Sequence, residues 1–202
     1  MTKSLTTMVL IAMALASSSA SAQMTANCMP EQIPHIAAAQ TFAGLEVITT
    51  NDYVVGLQGG SGDPTRFDHW IGSHEPEILE NVSLLLTAVY AGIDEITYNC
   101  ACDMAHQGDY AYVNRNDSTY QVYLCPQFFM DSNFEYGAIG TVIHEISHFA
   151  GTIDCMDPDL TCSSTDPTPG TPTLAHEFAQ RDPQTAQWNA YNLENLVTEG
   201  GM

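Results

Sequence analysis

The segment His144-Glu145-Ile146-Ser147-His148 constrains this chain more than any other, because it sits among the apolar residues Val142, Ile143, Ile146 and Phe149. Residues four apart share one face of an α-helix, about 6 Å apart at Cβ. Two imidazoles at that spread suit one tetrahedral Zn²⁺. Glu145 is turned by about 100° around the same helix, close enough to act as a base without being a ligand. The apolar neighbours bury this helix, and a buried ionisable group needs a partner or a metal. A zinc site that does chemistry takes three protein ligands and keeps a fourth position open. The third ligand must follow a reversal of the chain. Gly151 permits that reversal, and Asp154 comes three residues later. The motif therefore points to His144, His148 and Asp154 around one Zn²⁺ per chain, with Glu145 as general base. Asp157 and Asp166 stand as alternatives for the third ligand.

The N-terminus carries Lys3, a short apolar run from Met8 to Ala16, and Ala20-Ser21-Ala22. That is the layout of a secretory signal peptide with an A-x-A cleavage site. The run is too short to span a bilayer. The expected organisation is a signal peptide over 1–22 and one domain over 23–202, secreted to the extracellular space or periplasm. Six cysteines follow: Cys28, Cys100, Cys102, Cys125, Cys155 and Cys162. An even number in an exported chain reads as disulfides. Spacing alone leaves the pairing open, although Cys155 and Cys162 are near enough to close a small loop.

The charge is lopsided, with Lys+Arg 4 against Asp+Glu 24 and a net charge of −20. Removing the signal peptide removes Lys3 and leaves only Arg66, Arg115 and Arg181. Such a surface argues against nucleic acid and anionic membranes and favours cationic partners, or serves solubility in salt. Protein or peptide substrates and a monomeric state are expected.

Apolar spacing predicts a helix over 35–50, a glycine-rich loop over 51–64, an aromatic anchor at 66–72, and an amphipathic helix over 75–93 with Ile78, Val82, Leu85, Leu86 and Val89 inward. From Ile96 the period changes to two, giving strands at 96–100, 110–113 and 120–125. Residues 131–140 lead into the His-Glu-x-x-His helix, 155–172 read as a loop, and 173–181 and 183–198 as closing helices. His35, His69, His74 and His106 lack ligand spacing, and His176-Glu177 lacks a second histidine four residues on. All of these read as structural or surface groups. A β-ribbon just before such a helix is a zincin layout, whose edge strand can hold an extended peptide.

Several segments in order resemble the aspzincins, the deuterolysin and peptidyl-Lys metalloendopeptidase group. They are Trp70-Ile71-Gly72, Tyr98-Asn99-Cys100-Ala101-Cys102, Tyr110-Ala111-Tyr112-Val113, Val122-Tyr123-Leu124-Cys125, the zinc motif with Gly151-Thr152-Ile153-Asp154, and Asp182-Pro183-Gln184 with Asn189-Ala190. The resemblance implies an α+β fold: a mostly helical zincin-type metalloprotease domain with a small β-sheet beside the motif helix. It implies disulfides Cys28–Cys100 and Cys102–Cys125, leaving Cys155–Cys162. It also implies a secreted endopeptidase that hydrolyses peptide bonds with a zinc-bound water activated by Glu145. The spacing His-x-x-Gly-x-x-Asp is shorter than is usual in the family and resembles the snapalysin arrangement. Asp157 stands where the family has a tyrosine that helps hold the oxyanion.

In the lysine-specific members a segment Asn-Ala-Asp-x-x-Glu binds the substrate ammonium through its acids. Here it reads Asn189-Ala190-Tyr191-Asn192-Leu193-Glu194, so Glu194 and Tyr191 are the substrate-binding candidates. Absence of lysine after Lys3 fits a protease that cuts before lysine and spares itself. The competing reading is a secreted zinc-binding interaction protein of the same fold with weak or lost catalysis.

Overall fold

A computed structural model of the protein describes residues 25–115, 118–130, 134–155 and 171–199. The signal-peptide segment, Asp157, Cys162 and Asp166 lie outside the described residues.

Helix α1 (Ile33–Gln58) begins with Pro34 in its first turn, where the missing N–H costs nothing. It runs eight residues past the expected end at Thr50, through Asn51, Asp52 and Gly56. Packing explains the difference. Val54 is fully buried, and Asn51 satisfies its side chain by accepting from Ser83 Oγ at 2.8 Å. That tertiary anchorage outweighs roughly 1 kcal/mol of helix propensity lost at glycine. Helix α2 (Thr65–Ile71) occupies the aromatic anchor, with Phe67, Trp70 and Ile71 buried. It ends at Gly72, whose φ of 90° and tight approach to Ala179 leave no room for a side chain. Helix α3 (Pro76–Ile93) buries the expected stripe of Ile78, Val82, Leu85, Leu86 and Val89 and packs along α1.

Among the described residues the sheet has four short strands: β1 (Thr25–Ala26), β2 (Thr97–Asn99), β3 (Ala111–Val113) and β4 (Gln121–Leu124), in spatial order β1-β2-β4-β3. β2 pairs in parallel with β1 and β4, and β3 pairs antiparallel with β4, Tyr112 opposite Tyr123. β3 therefore forms an edge, and it packs beside the motif helix. Two disulfides pin the strand ends, Cys28–Cys100 and Cys102–Cys125. Cys155 is also disulfide-bonded.

After a short helix α4 (Pro126–Met130), a π-helical turn (Glu135–Ile139) runs directly into α5 (Gly140–Phe149). Such turns recur at functional sites because they re-aim the side chains that follow. Every residue of α5 from Gly140 to His148 is buried. α6 (Pro172–Arg181) matches the expected helix; the second closing helix is instead split into α7 (Pro183–Ala186) and α8 (Ala190–Thr198). The break falls at Asn189, which is fully buried with extended backbone (φ −93°, ψ 124°). Its amide is needed elsewhere, as described below.

Candidate metal centre

Helix α5 delivers His144 and His148 to one face and closes on Gly151. The N–H of Gly151 bonds the His148 carbonyl at 3.2 Å and that of Thr152 bonds the Ser147 carbonyl at 3.1 Å, with Gly151 at φ 102°. This is a Schellman closure, and it turns the chain back toward the imidazoles. Ile153 then bridges to the α7–α8 break: its N–H bonds the Trp188 carbonyl and its carbonyl accepts from the Ala190 N–H, each at 2.9 Å. The Asn189 side chain holds Cys155 at both ends, accepting from its N–H at 3.1 Å and donating to its carbonyl at 3.0 Å. Asn189 in turn donates to Asn192 Oδ1, and Asn192 donates to the carbonyls of Trp70 and Ala175 at 2.6 and 2.7 Å. The backbone on both sides of Asp154 is thereby fixed by a buried amide network.

The result is a convergence. Asp154 Oδ1 lies 3.1 Å from His144 Nε2 and 3.4 Å from His148 Nε2. Ligands about 2.0–2.1 Å from a tetrahedral zinc stand about 3.3 Å from one another, so these separations suit one ion. The other ring nitrogens are committed. His144 Nδ1 faces Glu194 Oε2 at 3.0 Å, and His148 Nδ1 faces the Thr152 carbonyl at 3.2 Å. An acceptor at Nδ1 holds the proton there and leaves a lone pair on Nε2. Two lone pairs and a carboxylate oxygen then face each other, and Asp154 Oδ1 is buried without a hydrogen bond. A cation is what such a donor set fits. His144, His148 and Asp154 are the one group of this kind among the described residues.

Burial works against a charged His144, but the adjacent Asp154 carboxylate and the hydrogen bond to Glu194, with the charges of Glu194 and Glu145, outweigh burial and raise its pKa well above the ordinary imidazole range. Burial raises Glu145 above the usual carboxylate range, partly offset by the two histidines. Burial also opposes ionisation of Asp154, yet the two imidazoles facing its carboxylate hold it well below that range.

All three expected ligands are brought together, with Glu145 beside them on α5 and buried. Tyr191 packs edge-on against His144, ring centroids 4.5 Å apart. Glu194, expected to bind substrate, has one carboxylate oxygen on His144. Arg115, noted in the sequence only as one of three arginines, donates from Nη2 to Asp154 Oδ2 at 3.2 Å. Thr152, Asn189 and Asn192 were without an assigned task. Their one sequence signal is that short amides and hydroxyls beside an apolar motif must find partners inside.

The model of the family described as lysine-specific metallo-endopeptidase matches residues 56–195 of this chain. The chain belongs to the aspzincin family of zinc metalloendopeptidases. Among solved structures, the zinc peptidase from Grifola frondosa superposes with a TM-score of 0.68 at 25% identity, over 86% of this chain and 98% of that one. An extracellular protease of Aeromonas hydrophila is 28% identical over 187 residues, 87% of this chain and 47% of the relative. This aspzincin thus spans about half the length of that curated relative. Among the described residues no helix is long and apolar enough to cross a membrane.

Proposed function

We propose that residues 23–202, released from the leader 1–22, form a secreted zinc-dependent endopeptidase. The observation that carries this reading is the meeting of two Nε2 lone pairs with a buried, unbonded Asp154 Oδ1 beside Glu145. In this reading His144, His148 and Asp154 hold one zinc ion and Glu145 is the general base. Zinc, when bound, supplies the Lewis acidity that polarises a scissile carbonyl and makes water more acidic.

The remaining work falls to the chain. Glu145 takes a proton from the attacking water as its oxygen bonds to the carbonyl carbon, then gives it to the amine nitrogen as the C–N bond breaks. A carboxyl raised by burial is suited to that return, because it holds the proton more readily than an exposed one. Glu194 and the Thr152 carbonyl keep the Nδ1 protons of the two imidazoles in place. Edge strand β3, beside α5, offers unpaired backbone groups to an extended peptide.

A basic residue after the cut is supported by the family's description, by the acidic balance of the chain and by the absence of lysine after Lys3. It is also supported by the partly exposed Glu194 carboxylate near the site. The test is mass-spectrometric mapping of cuts in a denatured, lysine-containing protein by the zinc-loaded mature chain, with Glu145→Gln alongside. Cuts that cluster before lysine and vanish in the variant are expected. Cuts without that clustering would remove the specificity. Zinc binding with no cuts would favour the interaction-protein reading.

A further inference from the structure

The two histidines are each held twice, by α5 and by an acceptor at Nδ1. Asp154 differs. Its backbone is clamped, but its carboxylate can turn about its own side-chain bonds. The two oxygens have separate partners: Oδ1 faces the imidazoles at 3.1 and 3.4 Å, and Oδ2 accepts from Arg115 Nη2 at 3.2 Å. Arg115 stands two residues beyond β3, so the sheet edge carries its guanidinium to the metal ligand. A carboxylate that is free to turn can bind a cation through both oxygens. Here that would take up the fourth position, which a catalytic zinc site must leave open.

The position of this pair is telling. The chain has Asp+Glu 24 and, beyond Lys3, only three arginines. Arg66 donates to Thr50 Oγ1 and lies over the Tyr53 ring. Among the described residues, the one arginine–carboxylate pair is the one on Asp154. With side chains 29% and 35% exposed, it is too solvated to add much stability, since exposed pairs contribute about 0–1 kcal/mol. What it does fix is direction: a guanidinium on Oδ2 keeps that oxygen off the ion.

We propose that Arg115 is a positioning residue that holds Asp154 as a one-oxygen ligand and so keeps the fourth metal position open. The inference rests on His144, His148 and Asp154 being the metal set.

The experiment compares wild type, Arg115→Ala, Arg115→Lys and Asp154→Ala. Zinc affinity is measured by competition with a chromophoric chelator. The visible absorption of the Co²⁺-loaded protein reports coordination number, because it weakens as ligands are added. Turnover is split into kcat and KM. Arg115→Ala should melt like wild type when metal-free and should show weaker cobalt absorption. It should lose roughly 10-fold or more in kcat with little change in KM. Arg115→Lys, which still places one N–H donor toward Oδ2, should recover much of both. An unchanged cobalt spectrum and kcat in Arg115→Ala, with zinc binding lost in Asp154→Ala, overturns the role of Arg115 and leaves the metal set standing. Undiminished zinc affinity in Asp154→Ala overturns the metal set and this inference with it.

Discussion

Gly140 opens α5 directly beneath Glu194. A Cβ placed on it would sit 2.6 Å from Glu194 Oε1, whereas non-bonded carbon contacts prefer about 3.5 Å. In Gly140→Ala the carboxylate must therefore retreat by about 0.8–0.9 Å. Its other oxygen holds His144 Nδ1 at 3.0 Å. A retreat of that size carries the pair beyond hydrogen-bond reach. Glycine to alanine inside a helix otherwise stabilises, by about 0.5–1 kcal/mol. The clash meets the movable end of a side chain, so it should not cost the fold. Stability and metal binding should then move in opposite directions: an unchanged or slightly higher melting temperature for the metal-free protein, with zinc held roughly 10–100-fold more weakly, the usual effect of losing a partner behind a ligand. The assay is chelator competition beside thermal melts of the metal-free protein. Full zinc affinity with a raised melting temperature would show that Glu194 does not support His144. A collapsed melt would show that the carboxylate cannot move.

Gly72→Ala should behave otherwise: its Cβ would lie 2.0 Å from the Ala179 carbonyl oxygen at a positive φ, and backbone cannot give way as a side chain does. A loss of about 3 kcal/mol or more is expected in denaturant titration. Removing Cys102–Cys125 as a double alanine variant opens a loop with sequence separation 23, worth about 3 kcal/mol by chain entropy, and the midpoint of unfolding should fall accordingly. In the metal-free protein the raised His144 pKa adds stability that is full below the unfolded value and is lost as pH rises through the folded one. Proton and zinc compete for Nε2, so zinc affinity should climb over that same interval as the proton leaves. Affinity flat across pH 5 to 8, measured by metal-buffered titration, would contradict this.

The site and the fold were legible in the sequence to different degrees. The meeting of His144, His148 and Asp154 could be read because the helix period and the glycine turn both restrict where the chain returns. The inner stripe of α3 was legible for the same reason: its period is local. The extent of α1 was not, because Asn51 and Gly56 speak for a turn and only contacts with α3 overrule them. The split between α7 and α8 was hidden too. Nothing local breaks the chain there; Asn189 leaves the helix to serve Cys155, a residue 34 positions earlier. Arg115 was invisible as a site residue because its partner is 39 positions away.

The stretch from Trp188 to Glu194 pairs with the backbone around Asp154, sets a ring against His144 and supplies the acceptor behind it. Part of the centre's geometry is thus written in a segment about 40 residues beyond α5. A chain in which only α5 has formed carries His144, Glu145 and His148 on one helix, but lacks the partners that hold the His144 ring and the backbone around Asp154. Docking of α8 and completion of the donor set are therefore one event: without α8, His144 loses both its ring contact and the acceptor behind it.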